Sequence, residues 1–444
     1  MLRFPKHLYT DVRIENVQET KIHYKKTTLQ EERIRTTEGV FIRVYDGNRW
    51  YYSALTDASA IQSEIQKLAS MATPNPDIEK DPVVRAFEIN KDEKLRFDQC
   101  SLRNVPIKKK RKLIKSLLNL CSDETIVMHE SQYIDRQTIK TFYSSKGANL
   151  HFDVQFCGVR LDMEMAHGDN RDRFSASKAG IRFEDLNTAS EFFKDEVAKN
   201  IAFIKTCEPV EGGDYPVLLS PYAAGVFTHE SFGHKSEADF MVGDEAMKKA
   251  WAIGKKIAPD HLSIVDYGEI DGNGFTPYDD EGSKARKTYL IKDGTLSGRL
   301  HSVSTATELA EMPTGNARAV NFEFEPIVRM TTTYIEKGDK PLDDIIQTID
   351  NGIYIDTINH GSGMSTFTIA PSRAYKIDNG EITTPLQISV VSGSVFKTLE
   401  KVEAVSEEFS LLSFVGGGCG KMEQMPLPVG FGGPYTLIGS LKVE

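Results

Sequence analysis

Within the run His229-Glu230-Ser231-Phe232-Gly233-His234, two imidazoles flank a carboxylate. These are the side chains of hydrolytic zinc chemistry: neutral imidazoles hold the ion, and a carboxylate beside them accepts a proton from water. The spacing is not the common His-Glu-x-x-His pattern, whose histidines stand four apart and share one helical face. Histidines five apart on a regular helix diverge by roughly 140°. Both rings can meet one ion only if the backbone takes in an extra residue, as in a π-bulge, or breaks at Gly233. The alternative is that these residues face solvent on an amphipathic helix.

Two histidines leave a zinc site short of a ligand. Glu237 and Asp239 lie just downstream, and His261 lies farther on. The most distinctive candidate is Cys419, in Gly416-Gly417-Gly418-Cys419-Gly420-Lys421. Flanking glycines let backbone approach an ion closely, and neighbouring amides with Lys421 favour the thiolate. The other cysteines, Cys100, Cys121, Cys157 and Cys207, are scattered without a Cys-x-x-Cys pair. They read as small buried apolar residues, and no disulfide framework is expected.

The elements that must position these residues are an α+β set. A chain of 444 residues exceeds what one core organises, and a boundary is expected near Glu211-Gly212-Gly213-Asp214. This divides an N-terminal domain of antiparallel strands with helices, residues 1–208, from a strand-rich C-terminal catalytic domain, residues 209–444, that carries the His-Glu helix. Asp46-Gly47 marks a hairpin between Val40–Tyr45 and Asn48–Ala54. Helices are expected over Ala58–Met71, Lys108–Leu120 and Thr188–Lys205 from their apolar stripes. Alternation predicts four short strands between Thr125 and Met165, and Asp77–Asn104 reads as a connection. Tyr215–Ser220 reads as a strand leading into the motif helix. Farther on, helices are expected over Lys340–Ile349 and Ser394–Val405.

The composition, 40 % apolar and 27 % charged with a net charge of −10, is that of a soluble protein and speaks against nucleic acid as the main partner. The first residues lack the apolar core of a signal peptide, and no stretch approaches the roughly 20 apolar residues of a membrane span. A cytoplasmic location without membrane contact is the expectation.

The run Ser220-Pro221-Tyr222-Ala223-Ala224-Gly225-Val226-Phe227-Thr228-His229-Glu230-Ser231-Phe232-Gly233-His234 resembles the TldD branch of the TldD/PmbA proteins. Asp279-Asp280-Glu281-Gly282, Pro313-Thr314-Gly315-Asn316 and Gly417-Gly418-Cys419-Gly420-Lys421 carry the same resemblance. It implies a cytoplasmic zinc metallopeptidase working as a dimer, with His229, His234 and Cys419 as ligands and Glu230 as base. It also implies a companion subunit that lacks the zinc motif, and an older label as modulator of DNA gyrase. The chain departs from the family pattern at Lys235-Ser236-Glu237-Ala238-Asp239, which bears on the pocket and not on the ligands.

The leading expectation is therefore hydrolysis of unstructured peptides, by a homodimer or with a zinc-free homologue. Its rival is a non-catalytic binding or regulatory protein, such as a gyrase modulator or a peptidase's companion. The remaining motifs leave alternatives open. Asp279-Asp280-Glu281 is either a carboxylate cluster behind the site, a substrate-amine site or a solvated turn. Pro313–Asn316 reads as a plain turn, the alternative being that its amides, or Arg318, contact substrate backbone. Lys108–Lys112 reads as the wet face of a helix, not a nucleic-acid patch.

Overall fold

A computed structural model describes residues 2–363 and 365–444. Its N-terminal half builds a seven-stranded sheet. Strand β1 (Tyr9–Lys25) pairs along its length with β2 (Thr28–Tyr45), which turns into β3 (Trp50–Leu55). Asp46 forms that turn by accepting the Asn48 and Arg49 N–H groups at 2.9 and 2.8 Å, the local bonding that suits aspartate to turns. Helix α1 (Ile61–Met71) buries Ile61, Ile65 and Leu68 of the expected stripe, while Met71 at its end is exposed. After a short helix α2 (Pro82–Ala86) come β4 (Lys91–Lys94), α3 (Ile107–Leu118), β5 (Ile126–Ser144), β6 (Asn149–His167), β7 (Asn170–Gly180) and α4 (Ala189–Thr206). The order across the sheet is β3-β2-β1-β5-β6-β4, with β7 also on β6. The Asp77–Asn104 connection therefore contains α2 and a sheet strand.

The four short strands expected between Thr125 and Met165 are two strands of 19 residues each. Both faces of the sheet are covered, so the ladder runs on through polar positions that a half-exposed strand would place in turns. On one face α3 and α4 pack Ile114, Leu117, Phe193 and Val197 against Tyr133, Val159 and Leu161. Polar residues there are hydrogen-bonded: Gln155 donates to Ile181 O at 2.8 Å and accepts from Leu102 N at 3.1 Å. Lys108, Lys109 and Lys112 are exposed on α3, as a wet face requires, but Lys110 departs from that reading. It is 2 % exposed, lies 2.5 Å from Asp135 and donates to Thr20 and Leu102.

The C-terminal half is a twelve-stranded mixed sheet entered through β8 (Glu208–Pro209) and β9 (Gly213–Leu219). β9 lies between the strand Asn351–Gly363, parallel to it, and the last strand Gly430–Val443, antiparallel to it. The helix expected over Lys340–Ile349 spans Leu342–Gln347. The one expected over Ser394–Val405 stops at Leu399, because Val402, Ala404 and Val405 pair with Ile438, Leu437 and Thr436 instead. Tertiary pairing overrides the local pattern there. Strands dominate and do not alternate with helices, which is the α+β class. Among the described residues no helix is long and apolar enough to cross a membrane.

The second face of the N-terminal sheet meets the C-terminal half through buried charge. Asp279, Asp280 and Glu281 form no solvated turn; each is at most 5 % exposed. Asp280 lies 2.5 Å from Lys140 on β5 and accepts the Ala319 N–H at 2.8 Å. Burial alone would push the Asp280 carboxyl up, but Lys140 and Arg13 bring it down to about 2. Glu281 accepts from Arg43 on β2 at 2.9 Å and from Val303 N at 2.7 Å, while Arg43 also grips Asp11. Asp279 accepts the Ser283 and Ala317 N–H groups. The triplet joins the two sheets.

Replacing Arg43 by Met leaves Asp11 and Glu281 buried without their shared cation, which costs about 3–5 kcal/mol. Calorimetry is expected to show a markedly lower unfolding temperature. An unchanged transition would remove this joint from the list of stabilising features.

Candidate metal centre

The motif helix α5 (Pro221–Thr228) starts where β9 ends. Ser220 caps it, accepting from Ala223 N at 3.2 Å and donating to Asp356 O at 2.6 Å, and Pro221 occupies the first turn, where a missing N–H costs nothing. The helix is buried on most sides, so its sequence is apolar nearly all round. Gly225 lets it touch the last strand: a Cβ there would lie 2.6 Å from Gly432 N.

Beyond Thr228 the helix widens. His229–Gly233 is a π-turn, closed by His234 N–H donating to His229 O, after which His234–Ser236 tightens to a 3₁₀ turn. The extra residue required by the spacing is present, and Gly233 keeps helical dihedrals, φ −57° and ψ −53°. Two local features favour the wide turn. Thr228 Oγ donates to Ala224 O at 2.7 Å, a back-bond that bends helices. Gly233 faces the buried Met330, whose Sδ would lie 2.1 Å from an added Cβ.

The π-turn brings the rings together, with centroids 5.1 Å apart and planes at 81°. Cys419 arrives from a hairpin formed by Cys419–Lys421 and Gln424–Leu427. One ligand-type atom from each of His229, His234 and Cys419 lies within 4.8 Å of the others. Cys419 Sγ is 3.5 Å from His234 Nε2. Ligands at about 2.3 Å for sulfur and 2.0–2.1 Å for nitrogen around a tetrahedral ion stand roughly 3.6 Å apart. The donor set and its spacing fit zinc. His229 Nδ1 is also buried without a hydrogen-bond partner.

The other proposed ligands stand elsewhere. Glu237, fully buried, meets His234 Nδ1 at 3.3 Å, the carboxylate contact that orients a ligating imidazole and leaves Nε2 for a metal. Burial would push the Glu237 carboxyl up, yet its bond to His234 and the Lys421 charge hold it below the usual range. Asp239 is engaged by Lys421 at 2.7 Å, and His261 contacts Val402 O. Glu230 is half-buried against the strand Asn351–Gly363, where a Cβ on Gly361 would lie 3.3 Å from its Cγ.

Two arginines anchor the Cys419 hairpin. Arg329, fully buried, donates to Cys419 O at 2.7 Å and Gln424 O at 3.1 Å. Arg318 donates to Met330 O at 2.6 Å and Pro428 O at 2.9 Å, so it contacts the protein's own carbonyls, not substrate. Asn316, from the Pro313–Asn316 turn, donates to Asp266 and to Arg329 O. No motif in the sequence marks Arg329. Lys421 also differs from expectation: it binds Glu237, Asp239 and Val328 O. Burial pushes the Cys419 thiol up, and the His229 and His234 rings outweigh it and bring it down to about 5. Burial lowers His234, and its contacts with Cys419 and Glu237 raise it to about 10.

Comparison with known proteins bears on this site. Residues 212–444 match the profile described as PmbA/TldA metallopeptidase C-terminal domain, and residues 10–72 match PmbA/TldA metallopeptidase domain 1. A metalloprotease of Synechocystis is 31 % identical over 98 % of this chain and 94 % of its own length. A zinc metalloprotease TldD homolog of Saccharolobus solfataricus is 30 % identical over 72 % of each chain. The fold is shared with a Thermotoga maritima protein labelled a candidate modulator of a DNA gyrase, at a TM-score of 0.78, 19 % identity and coverage of 98 % and 96 %.

Gly233→Ala is expected to destabilise the chain by about 1–3 kcal/mol through overpacking, and adding Met330→Ala should recover part of the loss. Thermal unfolding of the single and double variants checks this, and additive losses would refute the contact.

For the metal-free chain the signs differ between the two groups. The lowered thiol contributes stability present above its ordinary 9.0 and lost as pH falls through about 5. The raised imidazole contributes stability present below its ordinary 6.5 and lost as pH rises through about 10. Thiolate absorbance of the chelated chain should persist at neutral pH, fall away near pH 5, and be missing from Cys419→Ser. A thiol that ionises only near pH 9 would contradict this.

Proposed function

The chain belongs to the TldD/PmbA metallopeptidase family, and from that premise we propose that it is a zinc-dependent peptidase acting on unstructured peptides. One observation carries the reading: two imidazoles on a π-turn and a thiol from a hairpin 185 residues away bring their ligand-type atoms within 4.8 Å of one another. His229, His234 and Cys419 would hold the ion. When bound, zinc supplies Lewis-acid activation of water and of the scissile carbonyl.

The chain's own residues perform the rest. Glu237 fixes the His234 ring through Nδ1, and Arg329 fixes the Cys419 backbone. Glu230, next to the first imidazole, takes a proton from the attacking water and delivers it to the leaving amine. Substrate is held as an extended chain along exposed strand edges, where main-chain hydrogen bonding tolerates many sequences. We read residues 1–208 and 209–444 as two domains, and the protein as a cytoplasmic dimer, with itself or with a zinc-free relative.

Glu230→Gln should retain about one zinc per chain by elemental analysis and lose activity on an unfolded polypeptide by roughly 10²–10⁴-fold. Full activity in that variant would remove Glu230 as base. A wild-type chain that binds no zinc at all would favour the rival reading, a non-catalytic companion or regulator. Because His234 carries a proton toward Cys419 in the metal-free state, zinc uptake near pH 8 should release about one proton, measurable by calorimetry in buffers of different ionisation enthalpy. Equal cutting of folded and unfolded forms of one polypeptide would overturn the substrate class.

A further inference from the structure

Between the N-terminal sheet and the loops behind the Cys419 hairpin lies a cavity of about 70 Å³. That is room for a few waters or one carboxylate group. Glu15, Arg136, Lys140, Asp280 and Arg318 supply its charge. Both carboxylates are already matched: Asp280 lies 2.5 Å from Lys140, and Glu15 lies 3.0 Å from Arg13.

The guanidiniums are not. Arg318 spends both terminal nitrogens on carbonyls. The side chain of Arg136, half-buried on β5, makes no hydrogen bond or ion pair among the described residues, and the carboxylate beside it in register, Glu19, lies 3.6 Å from Arg33. A partly desolvated cation without an anion is unfavourable, so the cavity is electrostatically incomplete. Asn273, 7 % exposed, lines the same space, and its Oδ1 has no partner. It offers an acceptor for an N–H.

The location ties this cavity to the metal centre. Along β5, Lys140 reaches Asp280, Gln132 and Ile134 lie beside Gly416, and Arg136 stands between them. Leu427, which lines the cavity, is the register partner of Cys419 in the hairpin.

We propose that this cavity is a subsite for a carboxylate carried by the peptide substrate, with Arg136 as its anchor and Asn273 Oδ1 accepting an adjacent N–H. The carboxylate is either the peptide's C-terminus or an Asp or Glu side chain. The assignment rests on the peptidase reading above, and it names a preference that reading does not contain.

The test uses a peptide spanning a cut site in three forms: free C-terminus, C-terminal amide, and amide with one Asn replaced by Asp. Binding to the zinc-loaded Glu230→Gln chain should be about tenfold tighter for at least one carboxylate form than for the amide, the gain expected of one charge-assisted hydrogen bond. Which form gains tells the terminal from the side-chain source. Adding Arg136→Gln should bring the forms within about twofold, and Arg136→Lys, which keeps the cation, should retain part of the preference.

Equal binding of all three forms, or a preference that survives Arg136→Gln, overturns the subsite. Cleavage of all three by the wild-type chain with equal kcat/KM, alongside equal binding, would sink the subsite and leave the peptidase standing. A carboxylate preference in binding that depends on Arg136, with no cleavage by the wild-type chain, would do the reverse.

Discussion

Because His229 and His234 stand five apart, their rings share a pocket only while the His234 amide reaches back to the His229 carbonyl. A π-turn is a poor use of backbone in isolation, and it persists here because its surroundings leave no better option. The helix before it is pressed onto the last strand at Gly225, the Thr228 hydroxyl bends it from within, and Met330 fills the space an α-helical side chain at Gly233 would claim. The two imidazoles are thus placed by packing in the C-terminal core, where Phe227, Phe232 and Met330 are buried.

The third member of the set reaches the pocket by a different route. The Cys419 hairpin is short and glycine-rich, and Arg329 holds its Cys419 and Gln424 carbonyls while Arg318 holds the Pro428 carbonyl just beyond it. Each guanidinium holds two carbonyls through a rigid planar fork, where a lysine would hold them through one flexible ammonium. Behind His234, Glu237 and Lys421 join the motif turn to the hairpin, since Lys421 belongs to the hairpin and Glu237 to the motif segment. The histidine side and the cysteine side are locked by ion pairing before any metal is considered.

Charge plays the same part at larger scale. Asp280 and Glu281 tie the second sheet to Lys140 and Arg43 of the first, and the covered face of β5 and β6 becomes one wall of the space behind the hairpin. Arg43 and Lys140 thus stand with their carboxylate partners where the two sheets meet. Buried pairs of this kind contribute less to net stability than to fixing a single arrangement, because desolvation offsets much of their attraction.

Local chemistry was legible wherever the cause is local. The Asp46 turn, most of the α1 stripe and the need for an extra residue if His229 and His234 are to share one ion follow from residue type and spacing, whereas Cys419 is one candidate ligand beside Glu237, Asp239 and His261 until the family resemblance singles it out. What failed was whatever depends on a partner remote in the chain. Asp279–Glu281 leave a carboxylate cluster, a substrate-amine site and a solvated turn equally open until Arg43 and Lys140 are placed beside them, and Lys110 looks wet until Asp135 is. Val402–Val405 carry a helical pattern that the last strand overrules. Arg329 and Arg136 have no signature at all, since a guanidinium's role is set by the carbonyls or the empty space it faces. The sequence by itself determined which groups could do chemistry and that the helix carrying two of them had to be irregular if both were to meet one ion. Tertiary structure alone decided which carboxylate backs which imidazole and where cations stand without anions, because long-range Coulomb and packing terms depend on distances that spacing along the chain does not encode.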